Sequence, residues 1–300
     1  MSRPRRLARA LALLLFCLAA WPGASSAAES LIELEPGIVT QGQVVLLKVC
    51  LPGQAFEAQA LRARFLGQEA PLVRGVGGCW VGALAADLNA SPGPHEIEVK
   101  AGEMTLARRQ VKVAAKDYGT RQITVAQKYV APSREQLDRH QGEMERQRQA
   151  YSTLDPVPLW RGPWLAPLDA EVVGIFGRRS LVNGEPRSPH GGVDLRGGVG
   201  TPVRAPAAGR VAYLEDTYFG GITLLIDHGL GLISGYRHLS EAKVGPGQEV
   251  RQGQVIGLVG MSGRVTGPHL HFDMHLMGAR VDPLAWVATS RRLALMLGGS

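Results

Sequence analysis

Cysteine is scarce in this sequence, in which 300 residues include only three: Cys17, Cys50 and Cys79. Aromatic residues are also few, at 6% of the chain, and nothing resembles the combined aromatic and basic platform that binds nucleic acids. We therefore predict no nucleic-acid partner. An apolar run near the N-terminus, Leu11 to Ala20, is too short to span a bilayer comfortably.

Residues 1–28 are predicted to be a signal peptide. A basic segment with four arginines precedes the apolar run, and the small residues Ser25 to Ala28 offer a cleavage site. Retention as an uncleaved N-terminal anchor is the alternative. Cleavage would remove four positive charges, so the formal charge would fall from +7 to +3. The high pI is then weak evidence for an anionic partner, beyond a mild attraction to an anionic cell wall.

The two cysteines that remain after cleavage are predicted to form a disulfide. An exported chain meets an oxidising compartment, in which such bonds persist. A bond between Cys50 and Cys79 would close a loop of about thirty residues, worth roughly 3 to 4 kcal/mol in the chain-entropy model. Two buried free thiols are the alternative, and a count of free thiols distinguishes the two.

Residues 29–115 read as a β-sandwich module of the immunoglobulin-like type. Short apolar strands such as 44–49 and 95–99 are separated by turn signals such as Pro36-Gly37 and Pro52-Gly53. No cluster of residues in this module carries chemistry. We expect it to act as a spacer or to bind a partner in the cell envelope.

Residues 116–162 are predicted to be a linker that contains a helix near 133–151. Ser133 and Gln136 have the spacing of a capping box at its start. The apolar positions of the helix fall every seven residues, which gives a narrow stripe formed by Leu137, Met144 and Tyr151. This pattern indicates a solvated helix that lies on one domain. A linker of this kind could fold back over the domain that follows and block access to it.

Residues 163–288 are predicted to form a mostly antiparallel β domain, followed by a tail at 289–300. Its predicted strands are short and separated by glycines, and no amphipathic helix of useful length lies between them. His269 and His271 flank Leu270 in one of these strands. Because side chains two positions apart on a strand share a face, both imidazoles should point to one place.

His190 and Asp194 need a bend to reach a common point. Four residues of straight strand span roughly 13 Å, whereas zinc–ligand bonds are about 2 Å long. Gly191-Gly192 argues against a helix, so a bend that leads into a strand at Val193 remains. Two histidines and one aspartate would leave a coordination position open, as in catalytic zinc sites, and further histidines could transfer protons or hold an oxyanion.

Three motifs in this region resemble those of peptidase family M23. They are H-x-x-x-D (His190, Asp194), Y-x-H-L-S (236–240) and T-G-P-H-L-H-F (266–272). The family comprises the LytM/lysostaphin-type zinc metallopeptidases, which cut peptidoglycan peptides. The resemblance covers roughly residues 165–287 and includes all five polar residues of the motifs.

The resemblance implies a role for each of these five residues. Zinc, one ion per chain, would be held by His190, Asp194 and His271, while His238 and His269 would form the catalytic pair. The chain would then be an exported endopeptidase that hydrolyses the peptide cross-links of peptidoglycan. Two alternatives stay open: a non-catalytic regulator of another cell-wall hydrolase, and a secreted protease that acts on Gly-rich peptides.

Three further polar residues lie close to the motifs. His228 occupies a strand end and turn, where a structural role is expected. His275 shares a face with His271 but lies roughly 13 Å further along the strand, too far for the same metal. Asp273 is roughly 7 Å from His271 along the strand, and a carboxylate there could orient a histidine that binds metal.

Overall fold

The computed structural model describes residues 31–51, 61–124, 132–152 and 155–299. The predicted signal peptide lies outside these residues. The described chain is mostly β, as predicted, and contains two α-helices, α1 (Arg134–Tyr151) and α2 (Pro283–Met296). Within the described ranges, neither helix combines the length and the apolar character that a membrane crossing requires.

Two facing sheets build the N-terminal module. Its strands are β1 (Ile32–Glu35), β2 (Ile38–Thr40), β3 (Gln43–Val49), β4 (Leu61–Phe65), β5 (Gln68–Pro71), β6 (Val73–Arg74), β7 (Trp80–Ala86), β8 (Gly93–Ala101) and β9 (Met104–Ala114), with a short 3₁₀ turn at Val76–Gly78. One sheet has the order β1-β3-β7-β6 and the other β2-β9-β8-β4-β5. Inward-facing residues of both sheets form one apolar core. The immunoglobulin-like assignment stays a prediction.

The predicted disulfide is present between Cys50 and Cys79, with an S–S distance of 1.99 Å. Cys50 follows β3 and Cys79 precedes β7, and these two strands are direct neighbours with Val49 opposite Trp80. The disulfide therefore joins the adjacent ends of two paired strands.

Strand β3 is buried on both of its faces. Val45 and Leu47 enter the core of the module, whereas Val44 and Leu46 enter the core that the module shares with the C-terminal domain. Helix α2 packs on this second face and contributes Trp286, Leu293 and Ala294 to the shared core. The module and the C-terminal domain are thus joined by continuous apolar packing.

Helix α2 differs from the tail expected at residues 289–300, because residues 289–296 belong to this helix. Asp282 caps its start, since its Oδ1 accepts hydrogen bonds from the backbone N–H groups of Leu284 and Ala285 at 3.1 and 3.3 Å. Pro283 occupies the first helical position, which suits its fixed φ and missing N–H.

The C-terminal domain is organised around one large antiparallel sheet. Its strands are β11 (Val172–Gly174), β14 (Gly192–Arg196), β15 (Pro202–Arg204), β16 (Gly209–Thr217), β17 (Gly221–Asp227), β18 (Leu232–Ala242), β19 (Glu249–Val250), β20 (Val255–Val259), β21 (His269–Leu276) and β22 (Ala279–Val281). The main order is β11-β14-β21-β18-β17-β16-β19. A small separate sheet contains β10 (Thr120–Ile123), β12 (Arg179–Val182) and β13 (Glu185–Pro186).

Helix α1 begins at the predicted capping box, in which Gln136 N donates to Ser133 Oγ and Ser133 N donates to Gln136 Oε1. The helix packs beside β16. Two residues of its apolar stripe face solvent, since Leu137 and Met144 are 44% and 43% exposed, whereas the third, Tyr151, packs against the sheet. The buried positions are Glu143, Gln147 and Ala150. A mainly polar face therefore docks α1 on the C-terminal sheet, and the sequence pattern did not specify this face.

Candidate metal centre

Two neighbouring strands bring the predicted ligands together. Asp194 on β14 lies directly opposite His271 on β21. His190 precedes β14, which begins at Gly192 as the predicted bend requires, and its Nδ1 donates to the carbonyl oxygen of Ile175 at 3.0 Å. Since a carbonyl oxygen only accepts, Nδ1 carries the proton and Nε2 of the neutral ring is free to bind a metal.

Three donor atoms converge on one point. His190 Nε2 lies 3.0 Å from both His271 Nδ1 and Asp194 Oδ1, and His271 Nδ1 lies 2.9 Å from Asp194 Oδ1. Ligand atoms about 2 Å from a tetrahedral zinc ion lie about 3.3 Å from one another. Because nitrogen and carboxylate donors at this spacing suit zinc, the set fits the ion, and these three residues form a candidate metal cluster.

Gly192 provides space rather than a special backbone conformation. Neither Gly191 nor Gly192 has a left-handed φ. A Cβ atom at position 192 would lie 2.4 Å from the carbonyl oxygen of Phe272 and 2.9 Å from His271 Nε2. The imidazole of His271 can therefore lie against β14 only because this position has no side chain.

A β-bulge directs His238 toward the site. Strand β17 pairs Ile222 with Leu239 and Leu224 with Tyr236, so Arg237 and His238 together face one residue of β17. His238 has a φ of 63°, a conformation that is costly for a residue with a Cβ. By simple alternation His238 would share the face of the buried Tyr236. The bulge shifts this alternation, as bulges beside active sites often do.

The two predicted catalytic histidines are neighbours. Their ring centroids are 4.9 Å apart, and His269 Nε2 lies 3.7 Å from Asp194 Oδ1. His238 Nδ1 donates to the carbonyl oxygen of Ser262 at 3.0 Å, and His269 Nδ1 donates to that of Gly267 at 2.9 Å. In the neutral form of each ring, Nε2 is thus the nitrogen that can accept a proton.

Charge and burial shift the pKa values of the cluster. Burial alone would raise the pKa of Asp194, but the hydrogen bonds with His190 and His271 outweigh burial and hold it well below its usual range. Burial acts to lower the pKa of His190, yet the interaction with Asp194 raises it overall. Burial, followed by the nearby His271, lowers the pKa of His238 to about 3, so that its imidazole is neutral at physiological pH.

A buried ion pair lies next to the cluster. Arg237 Nε donates to Asp273 Oδ2 at 2.9 Å, and the same carboxylate oxygen lies 3.6 Å from His271 Nε2. Asp273 is placed as the sequence suggested, near the ring nitrogen of His271 that faces away from the cluster. The sequence interpretation missed Arg237 and Tyr151, and the available signal was that Arg237 lies within the Y-x-H-L-S motif.

The other histidines lie outside the cluster. His228 is fully buried, donates from Nδ1 to the carbonyl oxygen of Ala208 at 2.8 Å and contacts Ser234 Oγ through Nε2 at 2.7 Å. Burial lowers its pKa to about 4, so it is a neutral core histidine. His275 stacks on Tyr151 with ring centroids 3.9 Å apart.

The comparisons with known proteins agree with this geometry. The family model for peptidase family M23 matches residues 188–283, which include all five motif residues. A crystal structure from Pseudomonas aeruginosa that is assigned to peptidase M23 is 32% identical, has a TM-score of 0.66, and covers 84% of this chain and 95% of that one. The chain therefore belongs to peptidase family M23. Because this match covers 84% of the chain, it includes residues of both the N-terminal module and the C-terminal domain.

Two curated relatives match about a third of this chain. The peptidoglycan DD-endopeptidase ShyA of Vibrio cholerae is 40% identical over 97 residues, which are 32% of this chain and 23% of that protein. The DD-carboxypeptidase/endopeptidase Mpg of Neisseria meningitidis is 41% identical over 96 residues, which are 32% of this chain and 22% of that protein. The chain spans less than a quarter of the length of these relatives.

Proposed function

We propose that this chain is an exported zinc-dependent endopeptidase that hydrolyses peptide cross-links of peptidoglycan. The observation that carries the proposal is the convergence of His190, Asp194 and His271 beside the paired rings of His238 and His269. The names of the relatives, a peptidoglycan DD-endopeptidase and a DD-carboxypeptidase/endopeptidase, favour a cross-link of the DD type.

The five residues divide into two groups in the proposed mechanism. His190 Nε2, Asp194 Oδ1 and His271 Nδ1 would hold one zinc ion, which when bound lowers the pKa of a coordinated water and polarises the scissile carbonyl. His238 and His269 line the same place with Nε2 atoms that accept a proton in the neutral ring. One of them takes the proton from the attacking water, and the other, in the form protonated on both ring nitrogens, would donate from Nε2 to the developing oxyanion.

Digestion of isolated sacculi by the purified protein tests the proposal. We expect release of soluble muropeptides, inhibition by a chelator and recovery on addition of zinc. A non-catalytic regulator would release nothing by itself, and a secreted protease would prefer a Gly-rich peptide over sacculi. Mass analysis of the products identifies which peptide bond is cut.

Variants separate metal binding from proton transfer. His271→Ala should lose zinc and activity together, whereas His238→Ala and His269→Ala should retain zinc and lose about 10²-fold or more in turnover. His95→Ala, which changes a histidine of the N-terminal module, is the matched control and should retain both. Full zinc content and activity in His271→Ala would refute the ligand assignment.

Export is supported by the composition of residues 1–28 and by the disulfide between Cys50 and Cys79. N-terminal sequencing of the protein purified from its envelope fraction tests this part. A mature chain that begins near Ala28 is expected, and an intact Met1 would favour an uncleaved anchor. A partner in the cell envelope for the N-terminal module remains our expectation from the sequence.

A further inference from the structure

Asp273 lies in a slot between two glycines. Its cross-strand neighbours are Gly192 on β14 and Gly235 on β18. A Cβ atom at Gly235 would lie 2.4 Å from Asp273 Oδ1, and one at Gly192 would lie 3.0 Å from the Cβ of Asp273. Any other residue at position 235 would collide with the carboxylate, so this part of the sheet is shaped around Asp273.

Helix α1 reaches into this slot from outside the sheet. Tyr151, the last residue of the helix, donates its hydroxyl hydrogen to Asp273 Oδ1 at 3.2 Å and accepts from Arg237 Nη2 at 2.9 Å. Gln147, one turn earlier, accepts from Arg237 Nη1 at 2.9 Å. Together with the bond from Arg237 Nε to Asp273 Oδ2, these contacts involve all three guanidinium nitrogens and both carboxylate oxygens.

We propose that Tyr151 and Gln147 of helix α1, acting through Arg237, fix Asp273 as a positioning residue for the metal ligand His271. Asp273 Oδ2 lies 3.6 Å from His271 Nε2, while Nδ1 of the same ring faces His190 and Asp194. A carboxylate beside Nε2 favours the tautomer that carries its proton there. Nδ1 is then left free as a metal donor, as in other carboxylate–histidine–metal arrangements.

The consequence is that a segment outside the family-matched residues 188–283 completes the metal site. Helix α1 ends at Tyr151, well before the match begins, and its docking face is polar. Directional hydrogen bonds fix positions more narrowly than apolar packing does. The inference rests on the proposed zinc site, and its test measures metal affinity without substrate.

The test is competition for zinc between the purified full chain and a chromogenic chelator. Asp273→Asn should weaken zinc binding by about 10- to 100-fold, the range for residues that orient a metal ligand. Tyr151→Phe retains the ring that stacks on His275 and removes one hydroxyl, so a loss of about 2- to 10-fold is expected. This second variant covers the case in which Asp273→Asn does not fold because Arg237 is left unpaired.

Arg146→Gln is the matched control. Arg146 also docks α1 on the sheet, but it does so through Glu215 on β16, to which its Nε and Nη2 donate at 2.9 and 2.6 Å, away from Asp273. This variant should bind zinc as the unchanged protein does, which separates the contact with Asp273 from general docking of the helix. At saturating zinc, Tyr151→Phe should recover sacculus digestion, because its defect lies in metal retention.

The outcomes distinguish the two proposals. Equal zinc affinity in the unchanged protein, Tyr151→Phe and folded Asp273→Asn would overturn the positioning role and leave the proposed enzyme intact. Zinc binding that follows the expected order, without any digestion of sacculi, would support the positioning role and refute the proposed substrate. An equal loss in Arg146→Gln would also overturn the inference, since helix docking alone would then explain the effect.

Discussion

The C-terminal sheet is contacted from two sides by helices whose packing surfaces have opposite chemistry. Helix α2 is joined through apolar side chains such as Trp286 and Leu293, which enter the core shared with the N-terminal module. Helix α1 is joined through Glu143, Gln147 and Tyr151, which bind backbone and charged groups of the sheet. Apolar packing supplies stability without direction, whereas hydrogen bonds supply direction. The difference indicates that α2 stabilises the fold and α1 positions the site.

The largest effect on stability should come from the apolar contact between α2 and the core shared by the two domains. Trp286 is 1% exposed, and Trp286→Ala should lower the free energy of unfolding by about 3 to 5 kcal/mol because it leaves a large cavity. Chemical denaturation measures this change. Leu295→Ala on the same helix is the control, since Leu295 is 51% exposed and its loss should cost less than about 0.5 kcal/mol. Similar losses in both variants would contradict the role assigned to α2.

Loss of a hydrogen bond between α1 and the sheet should loosen the helix without lowering the stability of the whole fold. Glu143 is buried, and its carboxylate accepts from the backbone N–H of Tyr218 at 3.0 Å and from Arg139 Nε at 2.7 Å. Glu143→Ala leaves the N–H of Tyr218 without its acceptor, so docking of α1 should weaken by about 1 to 3 kcal/mol. Faster hydrogen exchange in the amides of α1, with little change in the rest of the sheet, is expected.

Glu145→Ala gives the matched control for that experiment. Glu145 lies on the same helix but is exposed and pairs with Arg148 of the same helix. Exchange in α1 should then stay close to that of the unchanged protein. If Glu143→Ala lowered global stability as much as Trp286→Ala, the division between a stabilising and a positioning helix would be wrong.

An ion pair between the N-terminal module and the C-terminal domain makes the stability of their contact depend on pH. Arg280 donates through Nη2 to Asp87 Oδ1 at 2.9 Å and through its backbone N–H to Oδ2 at 2.8 Å. Burial would raise the pKa of Asp87, but these hydrogen bonds and that from Asn89 outweigh burial and lower it. The stabilisation is therefore present above the unfolded pKa and is lost as the pH falls through the folded pKa.

Thermal unfolding across pH tests this pair. Asp87→Asn should cost about 1 kcal/mol at neutral pH, a modest value because both side chains are partly exposed. The difference from the unchanged protein should shrink as the pH falls below the ordinary aspartate value of 3.8. Glu35→Gln, which removes an exposed pair with Arg292, should have a smaller effect. A constant difference between pH 7 and pH 3 would show that the charge of Asp87 is not responsible.

The smallest effect should come from the two exposed residues of the apolar stripe of α1, Leu137 and Met144. Leu137→Gln and Met144→Gln replace side chains that are largely exposed, so each should change stability by less than about 0.5 kcal/mol. Hydrogen exchange of α1 should also be unchanged. A loss of several kcal/mol would mean that this stripe, rather than the polar face, holds the helix.

Much of the candidate metal site could be predicted from the spacing of its residues along the chain. His269 and His271 share a face because strands alternate, and the bend before β14 was required by the short reach of a metal ligand. The bulge at His238 could not be read from the motif, because bulge formation depends on how β17 and β18 pair. The capping box gave the start of α1, but the sequence did not specify its docking face, since buried Glu143 and Gln147 find partners only in tertiary structure.

Helix α2 was missed although its start carries a local signal. Asp282 followed by Pro283 is a good helix N-terminus, yet the following residues looked like the end of the domain. Burial of Trp286 and Leu293 depends on the second face of β3, which belongs to a module far away in sequence. Local pattern therefore gave the individual elements, whereas contacts between distant segments decided which faces are buried.

Asp194 and His271 are directly opposite each other on β14 and β21. Binding of a metal ion to both would therefore depend on the register in which these two strands pair. These residues are 77 positions apart in the sequence. The metal site is therefore complete only after β14 and β21 have paired in the correct register. A slip by one residue would turn Asp194 to the opposite surface. An ion that binds only the correctly paired strands stabilises that state by about 2.7 kcal/mol when its concentration is a hundred times its dissociation constant. Metal binding, and with it the activity that requires the metal, would thus follow only when these two strands have folded correctly.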